Sequence, residues 1–353
     1  MLVLTESFLP ARLLDRPDLG IASLIASCRA QGIGVSLAKG QTRVLGDMFM
    51  RDTEELWHMI RGLKEKDIAE IEIFGYETLA REKGVRQFCA EFQKLYNEII
   101  INKNPRCYFN VPLLRRFEDY YTTFRKVYYY YFNKLCSRNL KIVDCYVEEI
   151  KRNNPSCVGF SFPEYPAPLF LHVAKRVKKE TGVPLIAGGA FATYLFSERE
   201  MKFLLENYFD YIVTGAAERA LPRLLESLRN SKEPKNIPNL SYMVNGRLKS
   251  ARGEVIDNLD ALPLPDFSEF DLDRYLSPRR ALPIQTARGC FWRKCAFCDY
   301  RAYSLDSYKT FSIERVIECV KYLRDVYDCR HIMIHDDAMS VKRIKAISKA
   351  VVR

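Results

Sequence analysis

Ser156-Cys157-Val158-Gly159-Phe160-Ser161-Phe162, then Val183-Pro184-Leu185-Ile186-Ala187-Gly188-Gly189, then Tyr211-Ile212-Val213-Thr214-Gly215: three short apolar runs, each closing on small residues. Helical patterns separate them. Pro168–Thr181 carries apolar residues at Leu169, Val173 and Val177, and Gly182 stops it. Glu198–Asn207 and Arg219–Leu228 repeat the pattern after the second and third runs. Strands alternating with helices in units of this size give a parallel α/β sheet. Ligands of such sheets sit at the carboxyl ends of the strands. Here those ends are Ser161, Gly188-Gly189 and Thr214-Gly215. Glycine there lets backbone approach a large ligand closely. Leu2–Thr5 reads as an opening strand and Leu19–Gln31 as its helix.

Outward from this sheet the chain changes character twice. Upstream, Asp47–Arg138 is mostly helical in pattern, with a capped start at Asp52-Thr53-Glu54-Glu55 and an aromatic run at Tyr128–Phe132 that reads as packing. Downstream, Gly246–Arg280 is polar and proline-rich around Leu262-Pro263-Leu264-Pro265-Asp266-Phe267, the chemistry of an extended strap between domains. Next comes Gly289-Cys290-Phe291-Trp292-Arg293-Lys294-Cys295-Ala296-Phe297-Cys298, just after the strand-like run Leu282–Thr286. Three thiolates this close are a metal site, because soft sulfur selects iron–sulfur clusters or zinc. A structural zinc or an electron-transfer cluster takes four protein ligands. Three local cysteines therefore suggest a cluster with one metal open to another molecule. A zinc knuckle completed by His331 or His335 is the alternative. Ser312–Tyr327 then reads as a helix capped by Ser312, His331–His335 as a strand ending in Asp336-Asp337, and a further helix starts near Val341. Strand, cysteine loop, helix, strand, helix is the opening of a (β/α) barrel, whose active sites collect at strand carboxyl ends.

The cysteine loop resembles that of the radical S-adenosylmethionine (SAM) enzymes. There, three cysteines hold a 4Fe–4S cluster and SAM chelates the fourth iron. The family spacing is three residues, then two; here it is four between Cys290 and Cys295, then two before Cys298. Phe297 stands where the family places a side chain beside the SAM adenine. Val158–Ser161, Ile186–Gly189 and Val213–Glu218 are similar to the cobalamin-binding domain that precedes the barrel in one large subfamily. A Rossmann-like domain without a ligand is the alternative. The resemblance implies cobalamin contacts at Ser161, Gly188, Gly189, Thr214, Gly215 and Glu218. It also implies an acidic residue near the SAM amino group, at Asp336 or Asp337, where a helix-cap role is equally open. The Asp-x-His-x-x-Gly motif is missing, since Phe170 precedes His172 by two residues; no histidine of that motif should ligate cobalt.

The expected architecture is thus α/β: a Rossmann-like cobalamin-binding domain (1–46 plus 139–245) with a helical insertion (47–138), a linker (246–280) and the first units of a radical SAM (β/α) partial barrel (281–353). A whole barrel takes roughly 200 residues, so the sequence reads as cut within it and as inactive alone. The implied function is that of a cobalamin-dependent radical SAM enzyme, a methyltransferase that acts on an unactivated carbon through a 5′-deoxyadenosyl radical. Its cofactors would be a 4Fe–4S cluster, SAM and cobalamin. Its partners would be a small-molecule or peptide substrate and an electron donor such as flavodoxin or ferredoxin. Two rivals stay open: a tRNA-modifying methylthiotransferase-like enzyme, suggested by the net charge of +11, and a non-enzymatic zinc-binding module. The basic residues are spread along amphipathic segments, so solvated helix faces rank above nucleic acid as their explanation. Eleven cysteines, an odd number with no regular framework, place the protein in a reducing compartment, the cytoplasm. Those outside the loop read as small core residues. No apolar run approaches membrane length, and no signal peptide is legible.

Overall fold

A computed structural model describes residues 1–5, 17–39, 140–162, 168–194, 198–251, 253–275, 280–295, 298 and 307–351, with the single positions 94 and 112. The expected helical insertion and its aromatic run lie outside the described residues.

A seven-stranded sheet is the centre of the fold. Its strands are β1 (Leu2–Thr5), β2 (Val35–Ala38), β3 (Cys157–Ser161), β4 (Leu185–Gly188), β5 (Tyr211–Val213), β6 (Leu240–Val244) and β7 (Arg247–Ser250), in the order β2-β1-β3-β4-β5-β6-β7. The first five are parallel; β6 and β7 close the sheet antiparallel. The helices are α1 (Leu19–Arg29), α2 (Leu140–Arg152), α3 (Pro168–Thr181), α4 (Ala190–Tyr194), α5 (Glu198–Asn207) and α6 (Ala217–Arg229). Strand β1 is buried at every position, as a parallel strand covered on both faces must be. Its side chains alternate: Leu2 and Leu4 join the core cluster of α1 and α6, whereas Val3, equally buried, lies outside that cluster. Helix α1 packs on α6, and α2 packs on α3. The order of the parallel strands reverses between β1 and β3. That reversal opens a crevice at their carboxyl ends, the place where doubly wound sheets take ligands.

The second unit begins with β8 (Ala281–Ile284), which pairs in parallel with β11 (His331–Ile334). Helix α7 (Ile313–Tyr327) connects them and α8 (Val341–Val351) follows. This is the β-α-β-α opening of a barrel. Ser312 caps α7 by accepting a hydrogen bond from the Arg315 amide at 3.0 Å. The run expected as one strand, Leu282–Thr286, is instead broken. β8 stops at Ile284, and β9 (Ala287–Gly289) pairs antiparallel with β10 (Tyr308–Thr310). The cause is Asp336, whose carboxylate takes the Thr286 and Ala287 amides at 2.6 and 3.0 Å, so these donors leave the β8 ladder. The cysteine loop therefore springs from a short antiparallel ribbon and not from a barrel strand.

One continuous apolar core joins the two units, running from Leu2, Ile21 and Leu224 through Phe267 and Phe270 to Leu282, Leu323 and Ile347. The proline-rich strap supplies its middle. The Asp266 amide donates to Ala22 O at 3.1 Å, and Arg29 bonds Asp266 at 2.6 Å and also Glu269. On the other side, the Tyr327 hydroxyl accepts from the Phe267 amide and donates to Asp266, both at 3.1 Å. Residues Arg247–Ser250, which read as linker, form the outer edge strand of the sheet. Among the described residues, no helix is long and apolar enough to cross a membrane.

Candidate functional site

A cavity of about 480 Å³ opens where the two units meet. One wall is the carboxyl end of the sheet: Ser161 from β3, Gly188 and Gly189 from β4, Gly215 and Glu218 after β5. The facing wall comes from the second unit: Arg288 and Gly289 of β9, Lys309 of β10, and His335 after β11. Five of the six expected cobalamin contacts thus border one space. Thr214 does not border it; its amide and hydroxyl both donate to Asn239 O, at 2.8 and 3.3 Å.

The turns that form the sheet wall are fixed by polar side chains that the sequence pattern did not single out. Thr193 donates to Gly189 O at 3.3 Å and accepts from the Gly215 amide at 2.5 Å, stapling the ends of β4 and β5 together. Buried Asn239 donates to Ala216 O at 3.0 Å and accepts from the Glu254 amide at 2.8 Å, shaping the turn that presents Glu218. Gly189 has φ +95°, and a Cβ there would lie 2.6 Å from the backbone of Phe162. Its glycine is demanded by the neighbouring chain. Gly188 is different: a Cβ would meet only Val213 O, at 3.3 Å.

Glu218 opens the first turn of α6 and is buried. Its carboxylate pairs with Arg288 from the facing wall. Burial pushes its carboxyl up, but the Arg288 charge and hydrogen bond outweigh this and hold it below the usual glutamate range. Arg288 also donates from Nε to Gln285 Oε1 at 3.2 Å. The pair ties the two walls together across the cavity.

Beyond Gly289 the cysteine loop begins. Gly289 has φ +86°, and a Cβ there would stand 2.0 Å from Ser307 O, so no other residue fits. Cys290 and Cys295 are half-buried and Cys298 is exposed; the Cys298 amide donates to Cys295 O at 3.3 Å. Phe297 lies outside the described residues. Among the described residues no three His, Cys, Asp or Glu side chains converge tightly enough to hold a metal. The donor set nevertheless fits a cluster in kind. All eight described cysteines are free. Four of them, Cys28, Cys157, Cys319 and Cys329, are buried. Burial pushes the Cys28 thiol up to about 12 and those of Cys157 and Cys319 to about 11, which makes them inert. The loop thiols are the accessible set on one short segment. Cys145 departs from the expected core role, being exposed on α2; Cys89, Cys107 and Cys136 lie outside the described residues.

Asp336 is committed elsewhere. Besides the two amides above, it takes the Thr286 hydroxyl. Arg343 completes the bracket by donating to Thr286 Oγ1 at 3.0 Å and to Phe311 O at 2.9 Å. Asp337, next in chain, is exposed. Neither aspartate caps α8; Ser340 does, accepting from the Arg343 amide at 3.3 Å.

The fold, a parallel α/β sheet followed by the opening of a (β/α) barrel, is shared with a solved radical SAM methyltransferase. Over its whole length the chain superposes on a radical SAM methyltransferase, TsrM from Kitasatospora setae solved with cobalamin and a [4Fe-4S] cluster, with a TM-score of 0.52, 12% identity and 50% of that chain covered. Among curated proteins, it is 27% identical over 227 residues to the uncharacterised methyltransferase PH0819 of Pyrococcus horikoshii, covering 59% of this chain and 47% of the relative. It is 26% identical over 122 residues to the hopanoid C-3 methylase of Methylococcus capsulatus, covering 34% of this chain and 23% of that protein. The chain thus spans half or less of the length of these relatives. No family model matches it.

Proposed function

We propose that this chain carries the cobalamin-binding and cluster-bearing portion of a cobalamin-dependent radical SAM methyltransferase. The observation that carries this reading is the shared cavity: glycine-rich strand ends on one wall, and on the other a strand whose last residue, Gly289, leads directly into Cys290. Cys290, Cys295 and Cys298 would hold a 4Fe–4S cluster. Ser161, Gly188, Gly189 and Gly215 would receive the face of a corrin. Phe297 would border SAM, and Asp337, exposed after the carboxyl end of β11, would lie near its amino group. When bound, these groups supply reductive cleavage of SAM and transfer of a methyl group to carbon. The chain's own residues supply position: Thr193 and Asn239 set the corrin-facing turns, Asp336 and Arg343 fix the corner before β9, and the walls exclude water. A small molecule or peptide would be the substrate, with a one-electron donor protein as partner.

Anaerobic reconstitution with iron and sulfide tests this, followed by dialysis against hydroxocobalamin. The 353-residue chain should take up about four irons, as a Cys-held cubane does, and one cobalamin. Cys295→Ala should lose the iron and keep the cobalamin. Gly188→Val should lose cobalamin and keep the iron. A colourless zinc-loaded protein that binds no cobalamin would overturn the proposal and favour a zinc module.

A further inference from the structure

We propose that Glu218 is a positioning residue for the cysteine loop: through Arg288 it fixes strand β9, and with it Cys290, against the open end of the sheet. This rests on the reading above insofar as Cys290 is taken as a cluster ligand.

The geometry supports a latch over a direct cofactor contact. The Glu218 side chain is only 9% exposed, and its carboxylate is occupied by a guanidinium. That guanidinium belongs to the middle residue of β9, two positions before Cys290. It spans Glu218 and Gln285 at once from two separate nitrogens, Nη2 and Nε, which the rigid planar fork of arginine holds in one geometry. β9 needs such an anchor. It has three residues and pairs, among the described residues, only with the three of β10, and a two-stranded ribbon is marginal by itself. Its first amide is held by Asp336 from the barrel side. From the sheet side, the Glu218 carboxylate reaches it through the Arg288 side chain. Glu218 is in turn fixed by its place in the first turn of α6, where a carboxylate is favoured by the helix dipole. The ion pair therefore couples the position of the first cluster cysteine to the turn after β5, 70 residues away in sequence. A carboxylate aimed at cofactor would not need a half-buried arginine from the opposite wall.

Hydrogen exchange on the apo full-length chain tests the latch without any cofactor. In Glu218→Gln, peptides covering 285–290 and 308–310 should exchange about tenfold faster, with those from β1 to β5 unchanged. Arg288→Lys should give a smaller, equally local effect and serves if the first variant folds poorly. The exchanged pair, Glu218→Arg with Arg288→Glu, should restore part of the protection, since the dipole of α6 now opposes the charge in its first turn. After reconstitution, Glu218→Gln should keep wild-type iron and cobalamin contents but show an altered electron paramagnetic resonance signal from the reduced cluster. Unchanged exchange at β9, or a uniform rise across the whole sheet, would overturn the proposal. So would loss of cobalamin with β9 still protected, which would make Glu218 a direct cofactor contact. If the wild type takes up no iron, the functional reading fails while the exchange data still decide the latch.

Discussion

Two adjacent glycines at the end of β4 have different reasons to be glycine, and substitution separates them. At Gly189 the backbone sits at φ +95°, and Phe162 leaves no room for a Cβ. Gly189→Ala should cost about 2–3 kcal/mol of stability, from backbone strain and the clash with Phe162, measured as a lowered urea midpoint. At Gly188 the φ is ordinary for any residue and the single close atom is Val213 O at 3.3 Å. Gly188→Ala should cost less than about 1 kcal/mol, so weakened cobalamin binding by that variant would report on the ligand and not on the fold. Sequence pattern marked both positions but could not tell them apart, because the difference lies in what packs behind them. The same holds for Glu218. Its place after a strand was legible, but its partner, Arg288, comes from a segment that folding alone brings near. Thr193 and Asn239 carried no signal at all, since a lone threonine or asparagine acts here through the turns that happen to face it.

Elements with their own periodicity were legible and those defined by a distant partner were not. β3, β4 and β5 are apolar runs with helices between them, and α7 announces itself through Ser312. β7 is largely exposed, so its sequence has no apolar alternation to read; it is a strand because β6 turns back on it. β9 and β10 are three residues each, separated by the cysteine loop, and their pairing is a non-local event. The strap is a third case. Its prolines showed that it is extended, but its tie to the end of α7 is one tyrosine hydroxyl that serves Phe267, Asp266 and Tyr322 at 3.1–3.2 Å. Tyr327→Phe would leave the buried Phe267 amide without that acceptor. It should lower stability by about 1–3 kcal/mol, the cost of one unsatisfied buried donor, measured by denaturant unfolding. A change within about 0.5 kcal/mol, the scatter of a neutral substitution, would show that this hydroxyl adds nothing to the hold on the strap.

At the scale of the molecule, the sheet unit and the barrel unit share a core, but the charged ties between them depend on carboxylates. Asp266 joins the strap to Arg29 of α1, and Glu218 joins α6 to β9. For both, burial pushes the carboxyl up, and their bonded partners outweigh it: Ser268 and Arg29 for Asp266, Arg288 for Glu218. Each therefore titrates below its ordinary value, 3.8 for the aspartate and 4.5 for the glutamate. A carboxyl held lower in the folded chain than in the unfolded one stabilises fully above the unfolded value, and that contribution is lost as the pH falls through the folded one. Between pH 7 and about 5, near and above the unfolded values, the contribution of the two ties should be flat. Below about pH 4.5, where the unfolded carboxyls begin to take up protons, it should decline. The apolar core that joins the units is indifferent to pH, so the loss should loosen the joint before it unfolds the sheet. A double variant, Glu218→Gln with Asp266→Asn, should accordingly be less stable than wild type at pH 7, and the gap should narrow as the pH is lowered to about 3. Other carboxylates titrate alike in both proteins and cancel in the difference. Urea midpoints at a series of pH values would measure it, and a gap that stays constant from pH 7 to pH 3 would mean that the two carboxylates carry no charge-dependent share of the joint.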